Sequence, residues 1–460
     1  MPMDDPSHVA RQRIPKHHGV PLRSHETKIW ELPAAFSSIF SDLSDEIVRR
    51  LLVVFSGLLP IILIACGDGP SAPTNITPTG RRLSVGELTA CALDSVGKVY
   101  CWGTNSPRWE YGTSPTNVPA SQSPVLVPIP NLAGFAAGVG QHMCGLTASR
   151  HALCWGRGQS GQIGAGSLGP LGNPPTEVQS IGQSWADISV GRLSTCGLTP
   201  NGDGFCWGTN QRGEIGNSSI SVGVAMGTPT PMTANSIVFK SIVTGWTHAC
   251  GIATTGAAYC WGDNSQGQLG IGFADTDLHL EPLIVSFSDR FEQLALSARS
   301  TCGITLDHRA LCWGYNGFGQ LGDGTTIRRP QPTPVAGAVK FKAIALASGF
   351  AGGTDVALPV TNIQGSWAHA CAIAETGEPY CWGWNAAGQV GDGSTDDKLA
   401  PTLVSGGLQL TSIALGGSAS CGMRGSAIWC WGSNTVGQLG NGTTVNSAVP
   451  VQVGGPFNKP

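Results

Sequence analysis

One triplet, Cys-Trp-Gly, occurs seven times along this chain and constrains its fold more than any other feature. The seven copies begin at Cys101, Cys154, Cys206, Cys260, Cys312, Cys381 and Cys430. Successive copies are 53, 52, 54, 52, 69 and 49 residues apart. A repeat of this length is one supersecondary unit that cannot bury its own faces, so neighbouring units must pack together. The triplets therefore predict an architecture of seven similar units.

Each triplet begins a longer pattern. In six units an Asn stands two residues after the Gly, at Asn105, Asn210, Asn264, Asn316, Asn385 and Asn434. A turn similar to Gly-Gln-Leu-Gly then follows at residues 161–164, 213–216, 267–270, 319–322, 388–391 and 437–440. The first unit departs from the pattern, with Arg108-Trp109-Glu110-Tyr111-Gly112 in place of this turn. Short apolar runs bounded by glycines indicate strands joined by tight turns.

These residues resemble the regulator-of-chromosome-condensation repeat family, whose pattern joins Gly-x-x-His, an apolar strand, Trp-Gly-x-Asn and Gly-Gln-Leu-Gly. The resemblance covers Leu83 to Val453. It implies an all-β fold, a seven-bladed β-propeller in which each blade is a four-stranded antiparallel sheet, and we expect this propeller to occupy residues 82–455. WD-type and kelch repeats lack the paired motifs. The Trp of each triplet is expected to fill the space between neighbouring blades.

Fourteen of the 15 cysteines form local pairs, one pair in each unit. The pairs are Cys91/Cys101, Cys144/Cys154, Cys196/Cys206, Cys250/Cys260, Cys302/Cys312, Cys371/Cys381 and Cys421/Cys430. In four units the sixth residue after the first Cys is Gly, which suits the left-handed position of a three-residue hairpin loop. Such a hairpin brings its cysteines within disulfide reach. We predict one disulfide in each blade, with reduced core cysteines or metal ligands as alternatives.

An apolar run stands upstream of the repeats. Arg49 and Arg50 precede Leu51 to Ala65, which is 15 residues long. Since a membrane-spanning helix needs about 20 residues, the run is more typical of a signal peptide. It ends in Leu63-Ile64-Ala65-Cys66, which resembles the bacterial lipobox. Residues 48–66 are therefore interpreted as a lipoprotein signal peptide with Cys66 as the lipidated residue; an apolar helix with a buried cysteine is the alternative.

The flanks of this run complete the predicted domain order. Residues 67–81 are interpreted as a flexible tether, because Gly, Pro, Ser and Thr dominate them. Residues 1–47 are interpreted as a doubtful leader or a gene-model artefact. We expect an exported protein that is lipid-anchored at the cell envelope, at the outer membrane or cell surface. An oxidising compartment agrees with seven disulfides.

Composition and motifs favour binding over catalysis. The net charge of -3 and the lack of long Lys/Arg runs give no footprint for nucleic acid. The chain has no Gly-x-Ser-x-Gly, His-Glu-x-x-His or phosphate-loop motif. We therefore expect a protein that is not an enzyme and that uses no cofactor or metal.

Two sets of side chains are candidate metal ligands: His142, His248 and His369, and Asp263, Asp323 and Asp392. The histidines stand two residues before a blade cysteine and could ring an axis; structural histidines that bond loop backbone are the favoured interpretation. The aspartates stand beside the repeated turns, where Asp is a common turn residue, and calcium binding is the alternative.

The loops before the first cysteine of each blade hold the candidate binding site. Equivalent loops of a propeller emerge on one face, and these carry Glu87, Gln141, Arg192, Trp246, Arg299 and Trp367. Exposed Trp and Arg residues most often anchor protein interfaces. The alternative is that the two tryptophans plug the central channel. Blade six also carries an insertion of roughly 17 residues within Ala347 to Gly365, a loop length that is often functional but also tolerated as drift.

The expected function is recognition of a protein or surface polymer by a monomeric propeller. Two alternatives remain: guanine-nucleotide exchange, which is the family's namesake activity, and a propeller enzyme such as a lyase or glycosidase, for which the repeats supply no clustered acid–base pair. We also expect Ala448 to Val453 to complete blade one and close the ring, because open strand edges must be paired.

Overall fold

The computed structural model describes residues 82–457 except 106–110, 113–117, 138–141, 171, 180–181, 234–235 and 351–365. Within this range the chain forms seven sheets, each a meander of four consecutive antiparallel strands. The predicted all-β, seven-bladed propeller is confirmed.

Strand bounds are as follows. Blade one holds β1 (Leu83–Val85), β2 (Thr89–Leu93), β3 (Val99–Gly103) and β4 (Ser121–Leu126). Blade two holds β5 (Gly134–Ala137), β6 (His142–Leu146), β7 (Ala152–Gly156) and β8 (Asn173–Glu177). Blade three holds β9 (Asp187–Val190), β10 (Ser194–Leu198), β11 (Gly204–Thr209) and β12 (Ala225–Pro231). Blade four holds β13 (Phe239–Thr244), β14 (His248–Ala253), β15 (Ala258–Asp263) and β16 (Leu278–Ile284).

The remaining blades repeat this order. Blade five holds β17 (Phe291–Leu296), β18 (Ser300–Thr305), β19 (Ala310–Gly314) and β20 (Arg329–Pro334). Blade six holds β21 (Phe341–Phe350), β22 (Ser366–Ala374), β23 (Pro379–Gly383) and β24 (Lys398–Leu403). Blade seven holds β25 (Ser412–Leu415), β26 (Ala419–Arg424), β27 (Ala427–Gly432) and β28 (Ser447–Gln452), followed by a 3-10 turn at Gly455–Phe457.

The two cysteines of each blade lie directly opposite each other on its second and third strands. In blade four, for example, Cys250 pairs with Cys260 in the β14–β15 register. The Cα atoms of all seven pairs are 4.0–4.1 Å apart, and every pair forms a disulfide. The predicted pairing of the 14 blade cysteines is confirmed.

The hairpins between the paired cysteines turn through a left-handed residue. Gly97, Gly202 and Gly256 take φ of 83° to 85° there, as the sequence predicts. Arg150 and His308 adopt φ of 65° and 66° at the same position in blades two and five. Side chains rarely adopt this conformation, so the turn geometry of the repeat dominates over residue preference at these two sites.

Seven apolar clusters form the core, and each draws on two neighbouring blades. The Trp of every triplet is fully buried in one of them. In six blades its indole Nε1 also donates to a backbone carbonyl in the preceding blade, for instance Trp261 to Glu214 at 3.1 Å and Trp313 to Gln268 at 2.9 Å. The expectation that these residues fill the gaps between blades is confirmed.

The repeated Asn organises the turn that follows each triplet. Its side-chain oxygen accepts a hydrogen bond from the backbone N–H of a buried apolar residue, as between Asn316 and Leu321 at 2.9 Å. In blade one Asn105 accepts from Tyr111 at 2.8 Å, and Tyr111 is fully buried. Tyr111 therefore takes the place of the repeated Leu, which explains how blade one forms despite its divergent sequence.

The expectation that the C-terminal segment completes blade one is wrong. β28 pairs with β27 inside blade seven, and blade one is built from its own β1 to β4. The Pro/Val segment after each triplet is the outer strand of the same blade, so no strand is left over. Packing closes the ring instead: the Phe457 ring lies 5.6 Å from Tyr100 and 6.1 Å from Trp102, between ring centroids. Trp102 Nε1 donates to the Gln438 carbonyl at 2.9 Å.

The first strand of each blade faces the axis. Residues of β1, β5, β9, β13, β17, β21 and β25 line a central channel of about 800 Å³. The lining is mostly small or apolar, with a few hydroxyl and amide groups such as Ser189, Thr244 and Gln293.

Candidate functional site

Two sets of loops share one face of the ring because strands alternate in direction. The loop between the first and second strands of a blade, called here the pre-cysteine loop, emerges beside the loop between its third and fourth strands, called the outer loop. Together they form what we call the loop face. The cysteine hairpins emerge on the opposite face. Since the pre-cysteine loops leave the channel-lining strands, they surround one end of the channel, called the mouth.

The Gly of each triplet allows the pre-cysteine loop to lie on the third strand. Gly262 takes φ of 108°, and a Cβ atom at that position would lie 2.6 Å from the Thr247 carbonyl oxygen. At Gly103 the corresponding distance to the Leu88 carbonyl oxygen is 2.2 Å. No side chain fits at these distances, so the triplet glycine fixes the position of the loop that carries the candidate residues.

Arg192 lies over Trp246 at the mouth. The guanidinium carbon is 5.0 Å from the centroid of the indole ring, which is a cation–π contact between blades three and four. Trp246 is only 6% exposed, whereas Arg192 is half-buried. Burial lowers the pKa of Arg192, and the Glu87 carboxylate opposes that shift. Of the predicted site residues, the structure thus brings Glu87, Arg192 and Trp246 together; the indole is a support beneath the arginine and not an exposed anchor.

Arg299 lies on the same face, in blade five. Burial lowers the pKa of its half-buried guanidinium, the Asp263 carboxylate opposes that shift and the Arg212 charge adds to it. Asp263 accepts hydrogen bonds from Ser265 Oγ at 3.0 Å and Gln268 Nε2 at 2.9 Å. Its carboxylate is therefore largely occupied by its own blade.

The other two candidate aspartates also act within their turns. Asp323 accepts from the Thr325 N–H at 3.0 Å and pairs with Arg329 at 2.7 Å. Asp392 accepts from the Ser394 N–H at 3.0 Å. These bonds confirm that Asp323 and Asp392 act as turn residues. In the part of the chain that the structure describes, no group of three or more His, Cys, Asp or Glu side chains is arranged to hold a metal ion.

Glu214 is a buried acid that the sequence reasoning did not single out. It stands where five other units have Gln, in the turn 213–216, and is 2% exposed. Burial raises the pKa of its carboxyl to about 8, although it accepts a hydrogen bond from the Arg212 N–H at 2.7 Å. The second residue of this turn is Gln in the five other units that contain it, and the single Glu was the signal available in the sequence.

The three histidines join blades and do not ring the axis. His248 Nε2 is 2.8 Å from Thr301 Oγ1 of the next blade, and Thr301 donates its single proton to the Gln268 carbonyl at 2.9 Å. The hydroxyl must therefore accept from the imidazole. His142 contacts Thr195 and His369 contacts Ser420 in the same way. Burial lowers the pKa to about 4 in His248 and about 3 in His369. The three histidines therefore have the structural role that the sequence favours. Their partner is a side-chain hydroxyl and not the loop backbone.

Several predictions fall on residues that the structure does not describe. Gln141, the leader, the signal peptide with Cys66, and the tether lie outside the described residues. Trp367 belongs to β22, where it pairs with Gly349, but its side chain is outside the described part. The predicted insertion in blade six begins as strand, since β21 and β22 pair as far as Phe350 and Ser366. None of the helices in the described residues is long and apolar enough to cross a membrane.

Family comparison agrees with the repeats. Two profiles of the Regulator of chromosome condensation (RCC1) repeat match the chain, one at residues 239–268, 291–320 and 360–389, the other at 307–351, 376–423 and 426–460. Among curated proteins, the Ultraviolet-B receptor UVR8 of Arabidopsis thaliana is 26% identical over 57% of this chain and 68% of its own length. The human E3 ubiquitin-protein ligase HERC2 is 23% identical over 73% of this chain but only 7% of its own length.

Solved structures show the same fold. Prp20p from Saccharomyces cerevisiae, whose structure was reported with its binding to Gsp1p and histones, has a TM-score of 0.64 at 20% identity, over 82% of this chain and 88% of that chain. Yeast RCC1 (Prp20) bound to Kap60 has a TM-score of 0.66 at 20% identity, over 86% of this chain and 91% of that chain.

Proposed function

Since this chain is an RCC1-like repeat protein, we propose that it is a binding protein that presents its loop face to a protein partner at the cell envelope. A propeller of this type supports a binding or scaffold role, or one similar to nucleotide exchange. We choose this face because of one contact at the mouth. The Arg192 guanidinium lies over the Trp246 ring, and Glu87 is near enough to act on its charge. Arginine supported by an aromatic ring is typical of the residues that dominate protein interfaces.

The proposed location rests on the sequence of residues 48–66 together with the seven disulfides. Disulfides persist in oxidising compartments, so their number supports export. Cys66 is the residue proposed to carry the lipid. Metabolic labelling with a fatty acid should mark the wild-type chain and leave Cys66→Ser unlabelled; a labelled mutant would contradict the anchor without affecting the binding proposal.

The choice of face is tested by photo-crosslinking in cells that produce the full chain. A photo-reactive residue at Leu88, which is 37% exposed on the loop face, should give a protein adduct. The matched probe at Leu306, which is 61% exposed on the hairpin face, should give none. The adduct should weaken with Arg192→Ala. Equal adducts from both faces, or adducts with carbohydrate alone, would contradict the proposal.

A further inference from the structure

Several arginines lie in the described loops of this face, although the chain as a whole has a net charge of -3. Arg157, Arg192, Arg212 and Arg299 lie in the pre-cysteine and outer loops of blades two, three and five. Glu87 lies near enough to act on the charge of Arg192, and Asp263 on that of Arg299. Glu214 adds little negative charge at neutral pH, since the pKa of its buried carboxyl is about 8.

The charge of Arg299 is only partly neutralised from within. Arg212 and Arg299 are close enough for the Arg212 charge to lower the pKa of Arg299. The Asp263 carboxylate, which opposes the pKa shift of Arg299, already accepts bonds from Ser265 and Gln268. Among the described residues, the buried Nε of Arg299 makes no hydrogen bond. Carboxylate oxygens of a partner would meet the exposed part of the half-buried Arg192 and Arg299 guanidinium groups, because guanidinium groups bind carboxylates strongly.

The outer loops surround this charge with exposed apolar side chains. They are Leu168, Val222, Val224, Phe273, Ile327 and Val445, with exposed fractions of 44–71%. They come from five of the seven blades. Exposed apolar side chains around a polar centre are characteristic of protein-binding surfaces.

Acidic residues in the same outer loops disfavour nucleic acid and anionic lipid as partners. Asp277 and Asp396 are exposed there, and Asp275, Asp323 and Asp392 lie nearby in those loops. A nucleic-acid backbone or an anionic lipid surface would meet these charges before reaching the mouth. A narrow acidic projection on a folded protein avoids them.

We propose, on the basis of the proposed function, that the mouth binds a carboxylate-bearing loop of a folded protein. Arg192 and Arg299 take the carboxylates, and the exposed apolar side chains of the outer loops contact the surface around that loop. Trp246 supports Arg192 in position before the partner arrives, which limits the entropy lost on binding.

The test uses the full chain and a library of short random loops displayed on a small folded scaffold. Loops selected on the wild-type protein should be enriched in Asp and Glu. Their affinity should fall about tenfold or more with Arg192→Ala or Arg299→Ala, as expected when an interface anchor is lost. The matched control is Arg424→Ala, an exposed arginine on the hairpin face, which should leave affinity unchanged.

The possible failures are distinguishable. If selected loops lack acidic residues but lose affinity with Phe273→Glu, the acidic-loop inference is wrong and the loop face stands. If no selected loop responds to any loop-face variant, the inference and the proposed function both fall. Thermal unfolding of each variant is measured first, and Arg299→Ala carries the test if Arg192→Ala does not fold.

Discussion

At the scale of single residues, Glu214 shows that the repeated turn can accommodate an acid in place of Gln. In the other units the Gln amide satisfies the turn as a neutral group, as when Gln268 Oε1 accepts from the Gln266 N–H at 2.8 Å. Glu214 keeps that acceptor through Oε2, which bonds the Arg212 N–H at 2.7 Å. The fold thus accommodates the acid sterically but favours its protonated form, because a buried carboxylate loses its hydration.

Glu214→Gln should therefore stabilise the protein in a pH-dependent way. The unfolded carboxyl ionises near pH 4.5 and the folded one near pH 8, so folding takes up a proton between these values. The free energy of unfolding of the wild type should fall as pH rises through this window, by up to about 1.4 kcal/mol per pH unit. Thermal unfolding should show Glu214→Gln more stable than wild type at pH 8 and similar to it at pH 4.5. An equal gain at both pH values would show that charge is not the cause.

Residue-level prediction from the sequence was strongest where one pattern repeats. The cysteine pairs are predicted from their regular spacing and the hairpin glycines, and the burial of the triplet Trp from its recurrence in every unit. The burial of Trp246 could not be predicted, since a loop residue can point outward or lie beneath a neighbour, and only the position of Arg192 in the preceding blade decides which. The hydroxyl partner of His248 likewise belongs to another blade.

At the scale of elements, the cysteine hairpin is the common unit of all seven blades. Its first strand carries apolar side chains into the cores on both sides of the blade. In blade four, Cys250 and Cys260 are fully buried and share a cluster with Trp313 of the next blade. A hairpin of this kind holds the two strands that contribute most to each core.

Replacing Cys250 and Cys260 together by Ala should lower the free energy of unfolding by about 2–3 kcal/mol, because the open loop gains entropy in the unfolded chain. Denaturant unfolding without reductant measures the loss. The control is the wild type unfolded with reductant, which should lose more, since all seven bonds open. An unchanged midpoint in the double variant would show that packing alone holds the hairpin.

Sequence reasoning assigned the C-terminal strand to the wrong blade. A Pro/Val segment lies between two triplets, so spacing alone cannot assign it to the blade before or after it. The structure assigns it to the blade before, as the outer strand that pairs with the triplet strand. β1 is only three residues long and so gives almost no periodic signal.

At the scale of the whole molecule, the ring closes through side chains. The interface between blades seven and one has its own apolar cluster, which includes Leu83, Met423 and Phe457. The Trp102 bond to Gln438 repeats the link seen between the other blades. The first and last blades are therefore joined by the same kind of contact as the rest, with the Phe457 ring added.

Phe457→Ala should destabilise the propeller by about 3 kcal/mol, as expected for a buried Phe lost from a core. The ring is 1% exposed and contacts both Tyr100 and Trp102. Hydrogen exchange should quicken first in β3. Phe273→Ala is the control, because that ring is 54% exposed and should contribute little. Unchanged protection of β3 in Phe457→Ala would mean that the closing interface does not depend on this residue.

Each disulfide joins residues nine or ten positions apart within a single hairpin. A chain that enters an oxidising compartment from its N-terminal end thus has both partners of every bond available before the next pair arrives. Fourteen thiols could pair in very many ways, but the earliest neighbour is always the native one. Oxidation could then keep pace with delivery of the chain, blade by blade, and the native set of bonds would form without reshuffling.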